Sequence, residues 1–95
     1  MEALRHIAVE WKHSLPDEPI CLYLEIDCNG WEKRKVEEFR GGRLTYASAT
    51  TAAGSTRLGK EAIPEIAEIA KDPQFSLRKI MRAEFEEIWQ KAIRT

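Results

Sequence analysis

The sequence contains few of the residues from which metal centres and covalent active sites are usually built. Only two of its 95 residues are cysteine and only two are histidine. Cys21 and Cys28 are seven positions apart, not in the C-x-x-C spacing typical of zinc and redox sites. We therefore expect no metal, no cofactor and no disulfide, and we expect Cys21 to be an ordinary thiol of a reducing compartment.

Long apolar segments are also missing. No run approaches the roughly 20 apolar residues that a membrane-spanning helix needs. Residues 1–11 lack the apolar segment of a signal peptide. These absences predict a cytoplasmic protein with no membrane partner.

The sequence also lacks an excess of either positive or negative charge. The chain has 15 basic and 16 acidic residues, and its formal net charge of −1 gives no overall attraction to nucleic acid or to anionic membranes. An apolar fraction of 43% together with 33% charged residues is typical of a globular protein. The length predicts a single domain over residues 1–95.

The stretch from 19 to 46 organises the chain, because it alternates like a series of strands joined by turn dipeptides. Asn29–Gly30 and Gly41–Gly42 tolerate the positive φ of tight hairpin turns. Period-two alternation also precedes this stretch, which adds a strand before it. The predicted strands cover residues 4–12, 20–27, 31–40 and 43–47.

The third predicted strand is irregular, because both of its faces mix apolar and charged side chains. A β-bulge that changes the register within residues 31–40 is one explanation. The other is an edge strand whose charges discourage pairing with a second sheet. The second explanation leaves weak dimerisation through strand edges open, so we expect a monomer or a weak dimer.

Two helical segments follow a loop predicted at residues 48–60. The first has an apolar stripe that includes Ile66 and Ile69, and Asp72–Pro73 ends it. The second covers residues 82–93 and places Phe85 and Trp89 on one packed face. Between the two helices we expect an extended connector that reaches Ile80.

This order of elements predicts an α+β fold. We expect a four-stranded antiparallel meander with two C-terminal helices packed on one face. The helices should cover the sheet face that carries Ile7, Val9 and Leu24, and the opposite face should be open to solvent with Tyr23 and Glu25 exposed on it.

Charged residues are distributed unevenly around the second and third strands. From His13 to Glu32 inclusive there are five acids and no Lys or Arg, and Lys33–Arg34–Lys35 follows directly. This layout favours a surface that binds a basic protein partner, although a solvated sheet with cross-strand ion pairs of about 0.2–1 kcal/mol each is the simpler interpretation. Trp31 is expected to be exposed and is a candidate interface anchor. The predicted partner-binding residues are Asp17, Glu18, Tyr23, Glu25, Asp27, Trp31, Glu32, Arg34 and Lys35.

The same carboxylates leave a second class of function open. Glu25, Asp27 and Glu32 flank one hairpin, and some metal-dependent enzymes combine carboxylates with lysine. A small metal- or ligand-dependent enzyme, or a ligand-binding domain, is therefore the alternative. No spacing matches a catalytic or metal motif, so we predict no catalytic and no metal-ligating residues. An RNA-binding sheet is disfavoured because the central strand is acidic.

Several motifs are distributed over nearly the whole chain. They are W-K-H at 11–13, P-D-E-P at 16–19, L-Y-L-E-I-D at 22–27, G-W-E-K-R-K-V-E at 30–37, G-R at 42–43, I-P-E-I at 63–66, D-P-Q-F at 72–75 and E-F-E-E-I-W at 84–89. Together they resemble a family of small uncharacterised bacterial single-domain proteins. Met81 departs from the pattern of that family, which has a Ser or Thr helix cap there. The family's members look like the immunity proteins that accompany bacterial polymorphic toxins.

The resemblance implies a non-enzymatic immunity protein that blocks a cognate toxin, for example a nuclease. We expect the acidic sheet face to cover a basic active site, with no nucleic acid bound by this chain itself. Asp17 and Glu18 would lie at the rim of that contact. Arg34 and Lys35 would pair with Glu25 or Glu32, or with acidic groups of the toxin. The residues expected at the centre of the contact are Tyr23, Glu25, Asp27, Trp31 and Glu32.

Overall fold

Five strands form one antiparallel sheet in the computed structural model, which describes residues 3–94. Residues 1, 2 and 95 of the predicted domain lie outside the described part. The strand order is β4-β3-β2-β1-β5. The α+β class and the antiparallel sheet are confirmed, whereas the predicted count of four strands is wrong. The elements are β1 (Arg5–Trp11), β2 (Cys21–Ile26), β3 (Glu32–Glu38), β4 (Leu44–Ser48), α1 (Ile66–Ala70), β5 (Phe75–Lys79) and α2 (Arg82–Ile93).

The additional strand, β5, occupies the segment predicted as an extended connector. It pairs with β1, from Ile7 opposite Lys79 to Trp11 opposite Phe75. Phe75 and Leu77 pack against the apolar cluster of the sheet. With only two apolar residues among five, the alternation of this segment is too short to distinguish a strand from a connector.

A β-bulge explains the irregular pattern of the third strand. Glu25 pairs with Arg34, whereas the next residue of β2, Ile26, pairs with Glu32, so Lys33 is the extra residue. β3 lies between β2 and β4, so the edge-strand explanation is wrong. Because paired residues share a face, the bulge puts Glu32 on the face of Ile26 and Arg34 on the opposite one.

The two faces of the sheet carry separate apolar cores. On the first, which we call the α1 face, buried Ile7 and Leu24 belong to a cluster that packs against Ile66 and Ile69. The opposite face, the α2 face, buries Val36 together with three side chains of α2: Phe85, Trp89 and Ala92.

The prediction that both helices pack on one face is therefore wrong, and the face expected to be open is the one that α2 covers. The alternation of β1 and β2 identifies one strongly apolar face. The second core takes its apolar side chains from β3 and β4 instead, among them Val36 and Tyr46. The bulge and the charged neighbours of Val36 hide that pattern in the sequence.

The segment predicted as a loop, residues 48–60, folds back along β4, and we call it the returning chain. Ala52 forms a β-bridge with Ala47, and the Ala53 N–H donates to the Tyr46 carbonyl at 2.9 Å. Thr56 is only 2% exposed, and its hydroxyl donates to a Glu37 carboxylate oxygen. This returning chain therefore covers part of the outer edge of β4.

Gly30 lies in close contact with Ile63, which is in the segment that crosses the α1 face before α1. Its φ is +86°, and its carbonyl accepts the Ile63 N–H at 2.9 Å. A Cβ added at Gly30 would lie 3.0 Å from the Ile63 carbonyl oxygen. Gly41 has a similar φ of +90°, but nothing lies within 4 Å of a Cβ added there.

We expect Gly30→Ala to lower the free energy of unfolding more than Gly41→Ala does. Both substitutions place alanine in a left-handed conformation, which costs about 1–2 kcal/mol. Only Gly30→Ala also pushes Ile63 away, and overpacking of this kind costs about 1–3 kcal/mol more. Urea denaturation of the two variants measures the difference, and equal losses would contradict the close approach of Ile63 to Gly30.

Candidate functional site

A network of charged side chains lies between the sheet and α2. Glu25 is only 3% exposed and accepts two hydrogen bonds of 2.7 Å from Arg34, from Nε to Oε1 and from Nη2 to Oε2. The Nε2 atom of His6 lies 2.9 Å from Glu25 Oε2. On its other side, Arg34 Nη1 reaches Glu86 Oε1 of α2 at 2.6 Å. Arg34 thus links a buried sheet carboxylate to the helix.

Aromatic rings enclose the same guanidinium. The Cζ atom of Arg34 lies 5.0 Å from the ring centre of Phe85 and 5.1 Å from that of Trp89. The hydrogen bonds from Arg34 hold the pKa of Glu25 below its usual range against the opposing effect of burial. Glu25 therefore stays ionised and paired, and it helps to hold α2 on the sheet.

Asp27 organises the turn between β2 and β3. Its Oδ1 accepts the backbone N–H groups of Asn29 and Trp31, both at 2.9 Å. The hydrogen bond from the Trp31 backbone, followed by the one from Asn29, lowers the pKa of Asp27. Trp31 follows this turn with 44% of its surface exposed, as the sequence predicts.

Glu32 and Lys35 form an ion pair on the α1 face. The Glu32 side chain is 7% exposed, and its Oε1 lies 2.9 Å from Lys35 Nζ. The same oxygen accepts the Gly59 N–H at 2.6 Å. Lys35 also donates to the carbonyl of Arg57 at 3.0 Å. The pair therefore fastens the returning chain to β3.

A cleft beside Tyr23 opens where α2 crosses the α2 face. The Tyr23 hydroxyl donates to Glu38 Oε1 at 3.2 Å. Burial, the largest effect, raises the pKa of Tyr23 well above its usual range, so this hydroxyl remains protonated. We call this feature the acidic cleft; its volume is about 310 Å³, and its lining residues are Tyr23, Glu84, Glu87, Ile88 and Lys91.

Carboxylates outnumber cations around the acidic cleft. Glu84 and Glu87 are exposed on α2, and Glu38 contributes a third carboxylate from the sheet. Arg78 of β5 is already paired with Glu84, with 2.9 Å between Nη2 and Oε2. Lys91 is the cation in the lining itself. The arrangement can accept basic side chains of a partner.

Comparison with known proteins adds a family but no activity. Residues 5–94 match the profile of a family described as Domain of unknown function (DUF6881). The chain belongs to this family. No curated protein and no solved structure matches the chain. What this DUF6881 domain does must therefore be argued from its geometry.

The predicted partner-binding residues do not form one surface in this DUF6881 domain. The bulge and the position of α2 separate them. The irregular alternation of the third strand offered the bulge as one of two explanations, but nothing in the alternation indicates where α2 packs. They divide as follows: Tyr23, Glu25 and Arg34 lie on the α2 face, Glu32 and Lys35 on the α1 face, Asp27 and Trp31 at the β2–β3 turn, and exposed Asp17 and Glu18 in the β1–β2 loop at the other end of the sheet.

The cleft residues of α2 were missed by the sequence analysis. Glu84, Glu87 and Lys91 recur at helical spacing beside the apolar stripe of this helix, with Ile88 among them. That second stripe was visible in the sequence. Its significance depends on the tyrosine that faces it from β2, and the sequence does not show which sheet face α2 covers.

Across residues 3–94 of this DUF6881 domain, no group of three or more His, Cys, Asp and Glu side chains could hold a metal ion. Cys21 is half-buried, Cys28 is exposed, and both are free thiols. No helix in the described part of the chain is long and apolar enough to cross a membrane.

Proposed function

We propose that this domain is a non-enzymatic protein-binding module, an immunity protein that neutralises a cognate bacterial toxin in the cytoplasm by covering its active site. The acidic cleft is the observation that supports this proposal most directly. Its carboxylates suit a basic partner, and a nuclease is such a partner because its active site must attract phosphate groups.

The cleft has the composition of a protein-binding site. Tyr23 and Ile88 are half-buried and provide a small aromatic and apolar centre. Glu84 and Glu87 are exposed at its margin, where they can reach lysine or arginine side chains of the toxin. A desolvated aromatic centre with a charged rim is the usual anatomy of an interface that binds tightly.

Other predicted residues take different positions in this proposal. Asp17 and Glu18 contribute to the rim, because their loop lies at the end of the sheet where β2 begins. Glu25 and Arg34 support the contact indirectly, because they hold α2 on the sheet and α2 forms one wall of the cleft. The residues of the β2–β3 turn and of the α1 face lie outside the proposed contact.

The function is tested by capture followed by neutralisation. The tagged domain is used to recover a partner from the native bacterium. That partner is then expressed, with and without the domain, in a bacterial host that has neither gene of its own. We expect the partner to stop growth when expressed alone and growth to recover with the domain. A partner that is harmless alone, or whose toxicity persists with the domain present, would contradict the immunity role.

Charge reversal tests whether the cleft is the contact. We expect Glu87→Lys to weaken binding of the toxin by about tenfold or more, because it replaces an attraction to a basic surface with a repulsion. Glu68→Lys is the matched control: Glu68 is also a helix glutamate, with a side chain 62% exposed, but it belongs to α1. Titration calorimetry of both variants provides the comparison, and equal affinities would place the contact elsewhere.

A further inference from the structure

A second cavity lies on the α1 face, where the proposed toxin contact does not reach. Its volume is about 230 Å³, and it lies between the sheet and the part of the chain around α1. Leu22 and Leu24 line it from β2, Ile63 lines it from the segment just before α1, and Ile69 lines it from α1 itself. Glu32 is the one charged side chain in its lining. The cavity therefore combines an apolar interior with one carboxylate.

The chain that passes over this cavity on its way into α1 is held in place by two backbone contacts at glycines. Gly59 donates its N–H to Glu32 Oε1 at 2.6 Å, and a Cβ added at Gly59 would lie only 3.3 Å from Glu32 Oε2. Ile63 donates its N–H to the Gly30 carbonyl at 2.9 Å. Both contacts require the chain to approach more closely than a side chain readily allows. The cavity is thus roofed by a segment that is fixed to β3 and to the β2–β3 turn.

Glu32 is the group that can select a ligand. Its side chain is 7% exposed, and the hydrogen bonds from Gly59 and Lys35 both use Oε1. Lone pairs on Oε2 therefore remain for another donor. Because the ammonium group of Lys35 already compensates the charge, a neutral N–H or O–H donor suits this position better than a second cation.

We propose that this cavity binds a small, largely apolar molecule with one N–H or O–H donor. The apolar body of the molecule lies between β2 and the side chains of Ile63 and Ile69, and its donor binds Glu32 Oε2. Small-molecule sites commonly have this character, an apolar pocket in which one or two polar groups fix the orientation of the ligand. The site lies on the opposite face of the sheet from the acidic cleft, so it does not depend on the proposed toxin contact.

Indole and benzofuran are matched probes for this site, because they share a shape and only indole has an N–H donor. We expect indole to shift the NMR signals of the Leu22, Leu24, Ile63 and Ile69 methyl groups with a Kd of about 1 mM or below. Benzofuran should bind at least about fivefold more weakly, because it leaves the carboxylate without a donor. If indole at about 5 mM, several times that Kd, leaves these methyl signals unchanged, the proposal is wrong.

Filling the cavity tests the location of the site. We expect Leu22→Phe to weaken indole binding by about tenfold or more, because the larger ring occupies the space that the ligand needs. Leu77→Phe is the control, since Leu77 packs on the same apolar cluster but does not line the cavity. If Leu22→Phe does not fold, as its own NMR spectrum would reveal, Ile69→Phe replaces it. Unchanged indole affinity in the folded filling variant would overturn the proposal.

The role of Glu32 is tested by a substitution that leaves the volume of the cavity nearly unchanged. Glu32→Gln keeps an oxygen that can accept the Gly59 N–H but removes the carboxylate. We expect this variant to reduce the preference for indole over benzofuran to less than about twofold while benzofuran binds as before. A preference that stays at about fivefold would show that the donor does not bind Glu32.

Discussion

Arg34→Ala is expected to lower the free energy of unfolding by about 3–5 kcal/mol, because it leaves the buried carboxylate of Glu25 without its arginine and with only His6 beside it. Glu25 is only 3% exposed and receives both of its arginine hydrogen bonds from this one side chain. The substitution also removes the cation that stacks on Phe85 and Trp89. Urea denaturation followed by tryptophan fluorescence measures the loss.

This loss is a large part of what a domain of this size has available. Small domains are stable by about 5–15 kcal/mol in total, so the variant should be marginally folded at best. A double substitution, Glu25→Leu with Arg34→Met, removes both charges together. We expect it to recover most of the loss, because a buried pair can often be replaced by apolar residues of similar size.

Arg43→Ala is the matched control for Arg34→Ala. Arg43 also lies over an aromatic ring, with its Cζ 4.2 Å from the centre of Phe39, but it is exposed. We expect a cost of about 0.5–1 kcal/mol, the usual size of an exposed cation–π contact. Similar losses at the two arginines would mean that the burial of Glu25 contributes little.

Phe85→Ala is expected to cost about 3–5 kcal/mol, because it opens a cavity in the centre of the second core. Phe85 is 0% exposed and is the first buried residue of α2. Its ring centre lies 5.3 Å from that of His6 and 6.4 Å from that of Trp89. The substitution should therefore loosen the attachment of the whole helix to the sheet, and thermal unfolding monitored by circular dichroism records it.

Ile93→Ala is the control within the same helix. Ile93 is 40% exposed, and exposed substitutions usually change stability by less than about 0.5 kcal/mol. Combining the milder substitutions Phe85→Leu and Arg34→Lys gives a double-mutant cycle in a protein that can remain folded, and we expect the two losses to depart from additivity by about 0.5–3 kcal/mol. Strict additivity would show that the ring and the guanidinium stabilise the fold independently.

The first strands could be predicted because one of their faces is consistently apolar. Ile7, Val9, Leu24 and Ile26 alternate with smaller or more polar neighbours, and the structure buries all four. The Asn29–Gly30 and Gly41–Gly42 dipeptides also identify turns correctly, since all three glycines have positive φ. Local alternation and turn chemistry are sufficient for this part of the fold.

The second core could not be predicted, because its central residues resemble surface charges. Glu25 and Arg34 look like an exposed cross-strand pair, and only the bulge at Lys33 brings them opposite each other. Their burial depends on where α2 packs, which is a tertiary choice with no local signal. The residues predicted to form one acidic face lie on different parts of the domain, because their positions also depend on the bulge and on where α2 packs. The acidic cleft is built mainly from residues of α2, which the alternation of the strands does not identify.

The strand order has a consequence for how the chain reaches its folded state. β1 to β4 join through successive local hairpins, but β5 must return across most of the chain to pair with β1. Contacts between residues far apart in sequence carry a large loop-closure entropy and tend to form late. Neither core is complete before β5 pairs with β1. β5 contributes Phe75 and Leu77 to the core of the α1 face and leads directly into α2, which completes the core of the α2 face. During synthesis, the sheet therefore cannot close around its first strand until β5 has left the ribosome.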